Sequence, residues 1–265
     1  MSYLQYFGLK HDPLGKNTHP IVPTKKSALL TQQLTWLNQT KGIGLITGDA
    51  GTGKTTALRE WTQTLNPMTH QVMYQSDNHF KVFDIYSQLA DSLGLERHSR
   101  YSRLWRALKQ ELLHLVDDKQ IAPIWILDEA HLAPPNFFAE LPAFLNFSFD
   151  SRDVITIILV GLPALHAQLK KPLYSPLCSR LRFQFEWESV EDLHAFQSLL
   201  TEALQQAGIH QTIITSSGMQ LLYMASKGKL RVAHQVLVSA FQCATEQQLN
   251  HLPDHVIQQA IDTLR

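Results

Sequence analysis

Gly48-Asp49-Ala50-Gly51-Thr52-Gly53-Lys54-Thr55-Thr56 follows directly on the short apolar run Ile43-Gly44-Leu45-Ile46-Thr47. This is the phosphate-binding pattern G-x-x-x-x-G-K-T, a P-loop, set between a buried strand and a helix as its chemistry requires. The glycines matter because the backbone must wrap a triphosphate so closely that a Cβ would collide with it. Successive N–H groups and the N-terminus of the following helix then point at the anion. Lys54 is spaced to reach the β- and γ-phosphates, and Thr55 to offer its hydroxyl to Mg²⁺. The stretch from Gly48 to Thr56 is therefore the expected cradle of a nucleoside triphosphate, with ATP and Mg²⁺ as the expected ligands.

A strand feeding such a loop implies an α/β fold, and the flanking sequence agrees. Short apolar runs alternate with longer amphipathic ones, the pattern of a parallel sheet with helices on both faces. Strands are expected near 43–47, 71–75, 122–127, 154–160 and 181–187. Helices fit 25–39, 53–65, 80–93, 102–117, 136–146 and 163–170. In 80–93 Val82, Tyr86, Leu89, Ala90 and Leu93 recur at helical spacing, and Gly94 is placed to end the helix. Ser102 is the expected N-cap of the next helix, with Leu104, Leu108, Leu112 and Leu115 as its inner face. After Trp187 the strand-like runs stop. Ser189 with Asp192 reads as a capping box opening a helix to about 207, and further helices fit 216–226, 229–247 and 253–264. The expectation is an α/β P-loop domain over 1–187 and a small helical lid domain over 188–265.

Composition narrows the function classes. A hydrophobic content of 44% and a charged content of 17% over 265 residues describe an ordinary globular chain of one or two domains. The formal net charge is zero, so a nucleic-acid partner must be met by a local patch or by an assembled surface. Two cysteines, Cys178 and Cys243, make neither a disulfide framework nor a metal cluster, which suits a reducing cytoplasm. No basic segment followed by an apolar core opens the chain, and the longest apolar stretch, 157–165, is far short of the about 20 residues that span a bilayer. A cytoplasmic protein without a membrane partner is the expectation.

A second constellation lies at Ile124-Trp125-Ile126-Leu127-Asp128-Glu129-Ala130-His131. Four apolar residues form a buried strand that ends in two carboxylates, about 75 residues after the P-loop. One metal site explains both motifs: Asp128 holds the Mg²⁺ shell, and Glu129 orients or deprotonates the attacking water. The Asp-Glu-Ala-His string also occurs in some helicases, but no further helicase block and no second motor domain are visible. His251 and His255 are four apart, yet Pro253 lies between them and a solvated helix start is the simpler reading. Arg180 stands just before the strand of Leu181, Phe183, Phe185 and Trp187, where it could reach a neighbour's γ-phosphate as an arginine finger. Such a residue contributes roughly 10³–10⁵ in rate, so catalysis would be assembled between subunits. Arg182 is the second candidate. Gly228-Lys229-Leu230-Arg231 opens a helix from which Arg231 can fold back on the nucleotide of its own chain.

Together these features resemble the AAA+ ATPases, and within them the ExeA-like group of the transposition-regulator type (TnsC, TniB and MuB). Tyr6-Phe7-Gly8-Leu9-Lys10-His11-Asp12-Pro13-Leu14 resembles that group's N-terminal segment near the adenine. Gly161-Leu162-Pro163-Ala164-Leu165 resembles its turn after the fourth strand, and Gly228 to Arg231 its sensor-two motif. The resemblance implies an AAA+ P-loop NTPase with a parallel five-stranded sheet in the order 5-1-4-3-2. It places ATP at subunit junctions of a homo-oligomer, a hexameric ring or a helical filament, with Arg180 acting in trans. Leu162 departs from the pattern: the turn normally carries a polar residue that helps position water, so hydrolysis is expected to be slow.

The function this resemblance implies is ATP-dependent binding of double-stranded DNA, with recruitment of a transposase and a target-selection factor. DNA phosphates would be met by cations between strands two and three. Lys81, Arg97, Arg100, Arg103, Arg106 and Lys109 lie there, and Lys81, Arg100 and Arg103 are taken as the binding set. The secretion-linked ExeA proteins offer an alternative, an ATPase of envelope assembly. They typically continue into a membrane segment and a peptidoglycan-binding region, whereas this sequence stops at Arg265. A nucleotide-gated scaffold without hydrolysis is a third reading, and the Glu129 carboxylate argues against it.

Overall fold

The five apolar runs form one parallel sheet: β1 (Gly42–Thr47), β2 (His70–Gln75), β3 (Ala122–Leu127), β4 (Thr156–Gly161) and β5 (Leu181–Glu186). The structure is a computed structural model that describes residues 2–15, 24–77 and 81–264. The strand order is β2-β3-β4-β1-β5, the expected order read from the other edge. Central β1 and β4 are buried at all six residues, because helices cover both faces of an all-parallel sheet. The edge strands β2 and β5 instead mix buried and exposed positions. Gly44 sits where β1 and β5 shift register, and a Cβ there would lie 2.7 Å from the Phe183 ring.

The helices are α1 (Tyr3–Phe7), α2 (Lys25–Thr40), α3 (Lys54–Gln63), α4 (Val82–Ser92), α5 (Tyr101–Asp117) and α6 (Pro135–Phe144). They continue as α7 (Pro163–Leu169), α8 (Ser175–Cys178), α9 (Leu193–Gln206), α10 (Ser216–Ser226), α11 (Leu230–Glu246) and α12 (Asp254–Thr263). Two caps differ from expectation. Arg100 rather than Ser102 precedes the first turn of α5. Asp192 caps α9 with its own carboxylate, accepting from the Ala195 N–H at 2.9 Å, so Ser189 lies outside the helix.

By their contacts the described residues gather into two units. One comprises 26–48 and 57–187 and holds the sheet. On one sheet face Tyr86 packs its ring 4.9 Å from Phe144 and 5.9 Å from Trp125, beside Leu104, Leu108 and Leu112 of α5. On the other, Leu30, Leu34 and Leu37 of α2 and Leu58 and Trp61 of α3 cover Ile46, Ile126 and Ile158. The second unit gathers the described residues of 1–25, 49–56 and 188–265. Its core joins Phe196, Leu200, Val236, Phe241 and Val256 from α9, α11 and α12. The N-terminal segment packs here: Tyr3 stacks on Phe241 at 5.7 Å, and Phe7 meets the same ring edge-on at 4.9 Å. The N-terminal segment therefore falls outside the 1–187 domain expected from sequence, because helical periodicity carries no information about which distant core receives a short aromatic segment.

The exit of β1 leaves no room for a side chain. Gly48 donates its N–H to the Gly161 carbonyl at 3.1 Å, and the Trp187 N–H reaches the Thr47 carbonyl at 2.6 Å. A Cβ on Gly48 would lie 1.9 Å from the Trp187 carbonyl oxygen. At Gly94 nothing stands within 4 Å, and only its φ of +73° favours glycine. Gly48→Ala should therefore lower stability by about 3 kcal/mol or more, and Gly94→Ala by about 1 kcal/mol. Urea unfolding of the two variants checks the ranking, and equal midpoints would contradict it.

Candidate nucleotide site

The P-loop residues 49–56 belong to the same unit as the C-terminal helices. Gly51 and Gly53 adopt φ of +76° and +104°, the left-handed region that glycine enters without a Cβ penalty. Lys54 and Thr52 are buried, whereas Asp49, Ala50 and Thr55 are exposed. The Lys54 ammonium donates to the Asp49 carbonyl at 2.7 Å, and the Thr52 hydroxyl donates to the same oxygen at 2.8 Å. Thr55 and Thr56 lie in the first turn of α3.

The first turn of α11 seats on this loop. The Arg231 N–H donates to the Gly51 carbonyl at 3.1 Å, and a Cβ on Gly51 would lie 2.7 Å from the Arg231 Cβ. Lys229, just before the helix, pairs with the Asp49 carboxylate at 2.7 Å. The hydrogen bond to Lys229, aided by its charge, holds the Asp49 carboxyl below the ordinary carboxylate range. Gly228 makes the preceding turn possible, with φ +71° and the Val190 carbonyl 2.0 Å from where a Cβ would stand. The sequence reading singled out Arg231 in this turn and missed the pairing of Lys229.

In the sheet unit the acidic pair follows β3. The Asp128 N–H extends the ladder to the Gln75 carbonyl at 2.8 Å, which fixes where the strand stops. Asp128 is buried; its Oδ2 accepts from the Tyr74 hydroxyl and its Oδ1 from the Glu129 N–H, both at 2.9 Å. Glu129 adopts φ +53°, unusual for a non-glycine residue, and its side chain is about half exposed. Strain of this kind gathers at functional positions. His131 Nδ1 stands 3.5 Å from Glu129 Oε2 and accepts weakly from the Leu162 N–H at 3.4 Å. Because the sheet is parallel, β1, β3 and β4 deliver Gly48, Asp128 and Leu162 to one edge.

Arg180 follows α8 and is engaged within its own chain. Its guanidinium donates to Asp150 Oδ2 at 2.6 Å and to the Pro176 carbonyl at 3.2 Å. Arg182 pairs with Asp153 at 2.9 Å. Asp150 closes a run of three left-handed residues, Ser148, Phe149 and Asp150, whose aromatic ring is wholly exposed. Lys81 and Arg100 stand at the starts of α4 and α5, with Arg103 one turn on, and all three are exposed. Ring contact between Phe83 and Tyr101, 6.2 Å apart, brings those two helix starts together. Two neighbouring cations are otherwise occupied: Arg97 pairs with Asp91, and Lys109 donates to the Ala143 and Asn146 carbonyls.

Tyr74 is the contact that sequence reasoning missed, since its partner lies 54 positions away. Burial and then the Asp128 carboxylate push its phenol well above the ordinary value of 10.0, so it stays a donor. A raised folded-state pKa gives stability that is complete below pH about 10 and lost as pH rises through the folded value. Tyr74→Phe should therefore flatten the alkaline loss of stability and reduce ATP turnover about tenfold through a mobile Asp128. Thermal unfolding from pH 8 to pH 11, with turnover beside it, reads both effects; unchanged profiles would count against the role.

Comparison with known proteins agrees with this geometry. Over 251 residues the chain is 27% identical to General secretion pathway protein A of Aeromonas hydrophila, covering 90% of this chain and 45% of that protein. The chain thus spans a little under half the length of this relative. Among solved structures it resembles Cdc6p of Pyrobaculum aerophilum, with a TM-score of 0.77 and 17% identity over 95% of this chain and 70% of that one. It also resembles the Aeropyrum pernix ORC1 protein solved in complex with DNA, with a TM-score of 0.72 and 14% identity, covering 95% of this chain and 68% of that one. The Thermotoga maritima RuvB Holliday junction branch migration motor gives 0.61 and 16%, covering 96% and 74%. These structural likenesses show a shared fold. Residues 37–169, which run from the end of α2 through the P-loop and the acidic strand to α7, match the AAA domain family, and the chain is a member of that family of ATPases.

Proposed function

We propose that this chain is an ATP-dependent DNA-binding regulator of DNA transposition that assembles on target DNA and recruits or activates a transposase. The observation that carries the DNA reading is the convergence of Lys81, Arg100 and Arg103 on two adjoining, exposed helix starts. Solved proteins of the same fold include one in complex with DNA and a Holliday junction motor, which supports it. In a ring or filament this patch repeats, so a neutral chain can present a strongly positive channel to phosphates.

The nucleotide chemistry follows from the residues. In the proposed assignment Gly48 to Thr56 cradle the triphosphate, and Gly51 and Gly53 supply the left-handed turns that such a loop needs. Thr55 and Asp128 offer hard oxygen donors of the kind Mg²⁺ takes, and the ion when bound neutralises charge on the phosphates. Glu129 accepts a proton from the attacking water as the bond between the γ-phosphorus and the ADP oxygen breaks. Lys54 and Arg231 stabilise the charge from within the chain, and Arg180 from a neighbour. Reaching that neighbour requires Arg180 to exchange Asp150 for phosphate, so assembly and hydrolysis are coupled. Leu162 offers no polar side chain, which makes unassembled hydrolysis slow.

Glu129→Gln should trap ATP-bound assemblies on duplex DNA and cut turnover at least about a hundredfold. Replacing Lys81, Arg100 and Arg103 by alanine should abolish the ATP-dependent shift of duplex DNA while nucleotide binding persists. Unchanged DNA affinity in the triple variant removes the DNA reading. The relatedness to General secretion pathway protein A supports a second reading, an ATPase of a secretion or envelope-assembly system. Electron microscopy with duplex DNA and a non-hydrolysable ATP analogue separates the two: DNA-threaded rings or filaments favour the first, and DNA-indifferent particles the second. No helix of the described residues is long and apolar enough to cross a membrane.

A further inference from the structure

The second position of the P-loop carries a carboxylate, an unfavourable charge to set beside a polyphosphate. Asp49 is held from two sides. Its carbonyl accepts from Lys54 and Thr52, and its carboxylate accepts from the Lys229 ammonium at 2.7 Å. The α11 turn is already fastened to the loop by a main-chain hydrogen bond from Arg231 to Gly51, with the Arg231 stem packed over the bare Gly51 Cα. Seating that turn therefore does not depend on Lys229. What Lys229 adds is charge.

We propose that Lys229 is a positioning residue that cancels the Asp49 carboxylate, so that the loop meets the phosphates with net positive charge. The proposal rests on reading Gly48 to Thr56 as the nucleotide cradle. Without Lys229 a full negative charge remains at the mouth of the loop, and its repulsion grows with the charge of the ligand. ATP then suffers more than ADP. Both side chains are partly exposed, so the effect is screened by salt, with a Debye length of about 10 Å at 0.1 M and about 3 Å at 1 M. A purely structural role for Lys229 would show neither dependence.

Calorimetric titration of the full chain with ATP and with ADP tests this at low and high salt. Lys229→Ala should weaken ATP about tenfold and ADP about threefold at low salt, with the gap closing near 1 M salt. Lys229→Arg should bind like the parent chain. Adding Asp49→Asn to Lys229→Ala should restore most of the lost affinity, and Asp49→Asn alone should tighten ATP several-fold. Wild-type affinity in Lys229→Ala, equal and salt-independent losses for both nucleotides, or no rescue by Asp49→Asn would each overturn the proposal. If Lys229→Ala does not fold, Asp49→Asn alone decides: ATP binding no tighter than the parent's overturns the proposal. Lys54→Ala separates the levels: normal ATP binding there defeats the cradle reading, whereas loss there with no Lys229 effect defeats only this inference.

Discussion

Gly48 is squeezed between the Gly161 carbonyl, to which it donates, and the Trp187 carbonyl, which leaves no room for a side chain. This contact holds the point at which the central strand leaves the sheet. It ties the ends of β4, β1 and β5 together, so the main chain leaves the sheet from a fixed place. Buried strands on either side give the backbone no freedom to adjust, because interiors packed at crystal-like density transmit strain rather than absorb it. The same parallel order sets Asp128 and Leu162 at that edge, since β4 lies between β1 and β3.

A second regularity concerns charge. Several polar groups assigned a part in the proposed chemistry already have a partner within the chain. Asp128 accepts from Tyr74 and from the Glu129 main chain, Asp49 pairs with Lys229, Lys54 donates to the Asp49 carbonyl, and Arg180 pairs with Asp150. In the proposed mechanism, ligand and neighbour compete with these contacts. Pairs that are partly exposed, such as Arg180 with Asp150, exchange at small cost because water and salt already weaken them. The buried Asp128 behaves differently, because its partners fix one carboxylate orientation. Exchangeable contacts at the surface and a fixed acid at the strand end are compatible with the proposed coupling of hydrolysis to assembly.

Much of this was legible in the chain. The P-loop, the acidic strand end and the five apolar runs each rest on local rules: main-chain approach to phosphate, burial on both strand faces, and helical periodicity. The α5 stripe of Leu104, Leu108, Leu112 and Leu115 was readable for the same reason. Contacts between residues far apart in sequence were not. Tyr74 sits on an edge strand whose mixed pattern gives no sign that its hydroxyl reaches Asp128, and His131 looked like the tail of a motif until Leu162 was placed beside it.

The sequence by itself determined the class of fold, the strand order through its family resemblance, and the place of the P-loop pattern between strand and helix, because spacing along a strand or a tight turn dictates geometry directly. Tertiary structure alone decided that the N-terminal aromatics join the helical unit, that Lys229 offsets Asp49, and that Arg180 rests on Asp150. The physical reason is common to all three. Ion pairs and ring contacts depend on distances across space, and a linear pattern of residue types does not encode which distant partner the folded chain brings within reach.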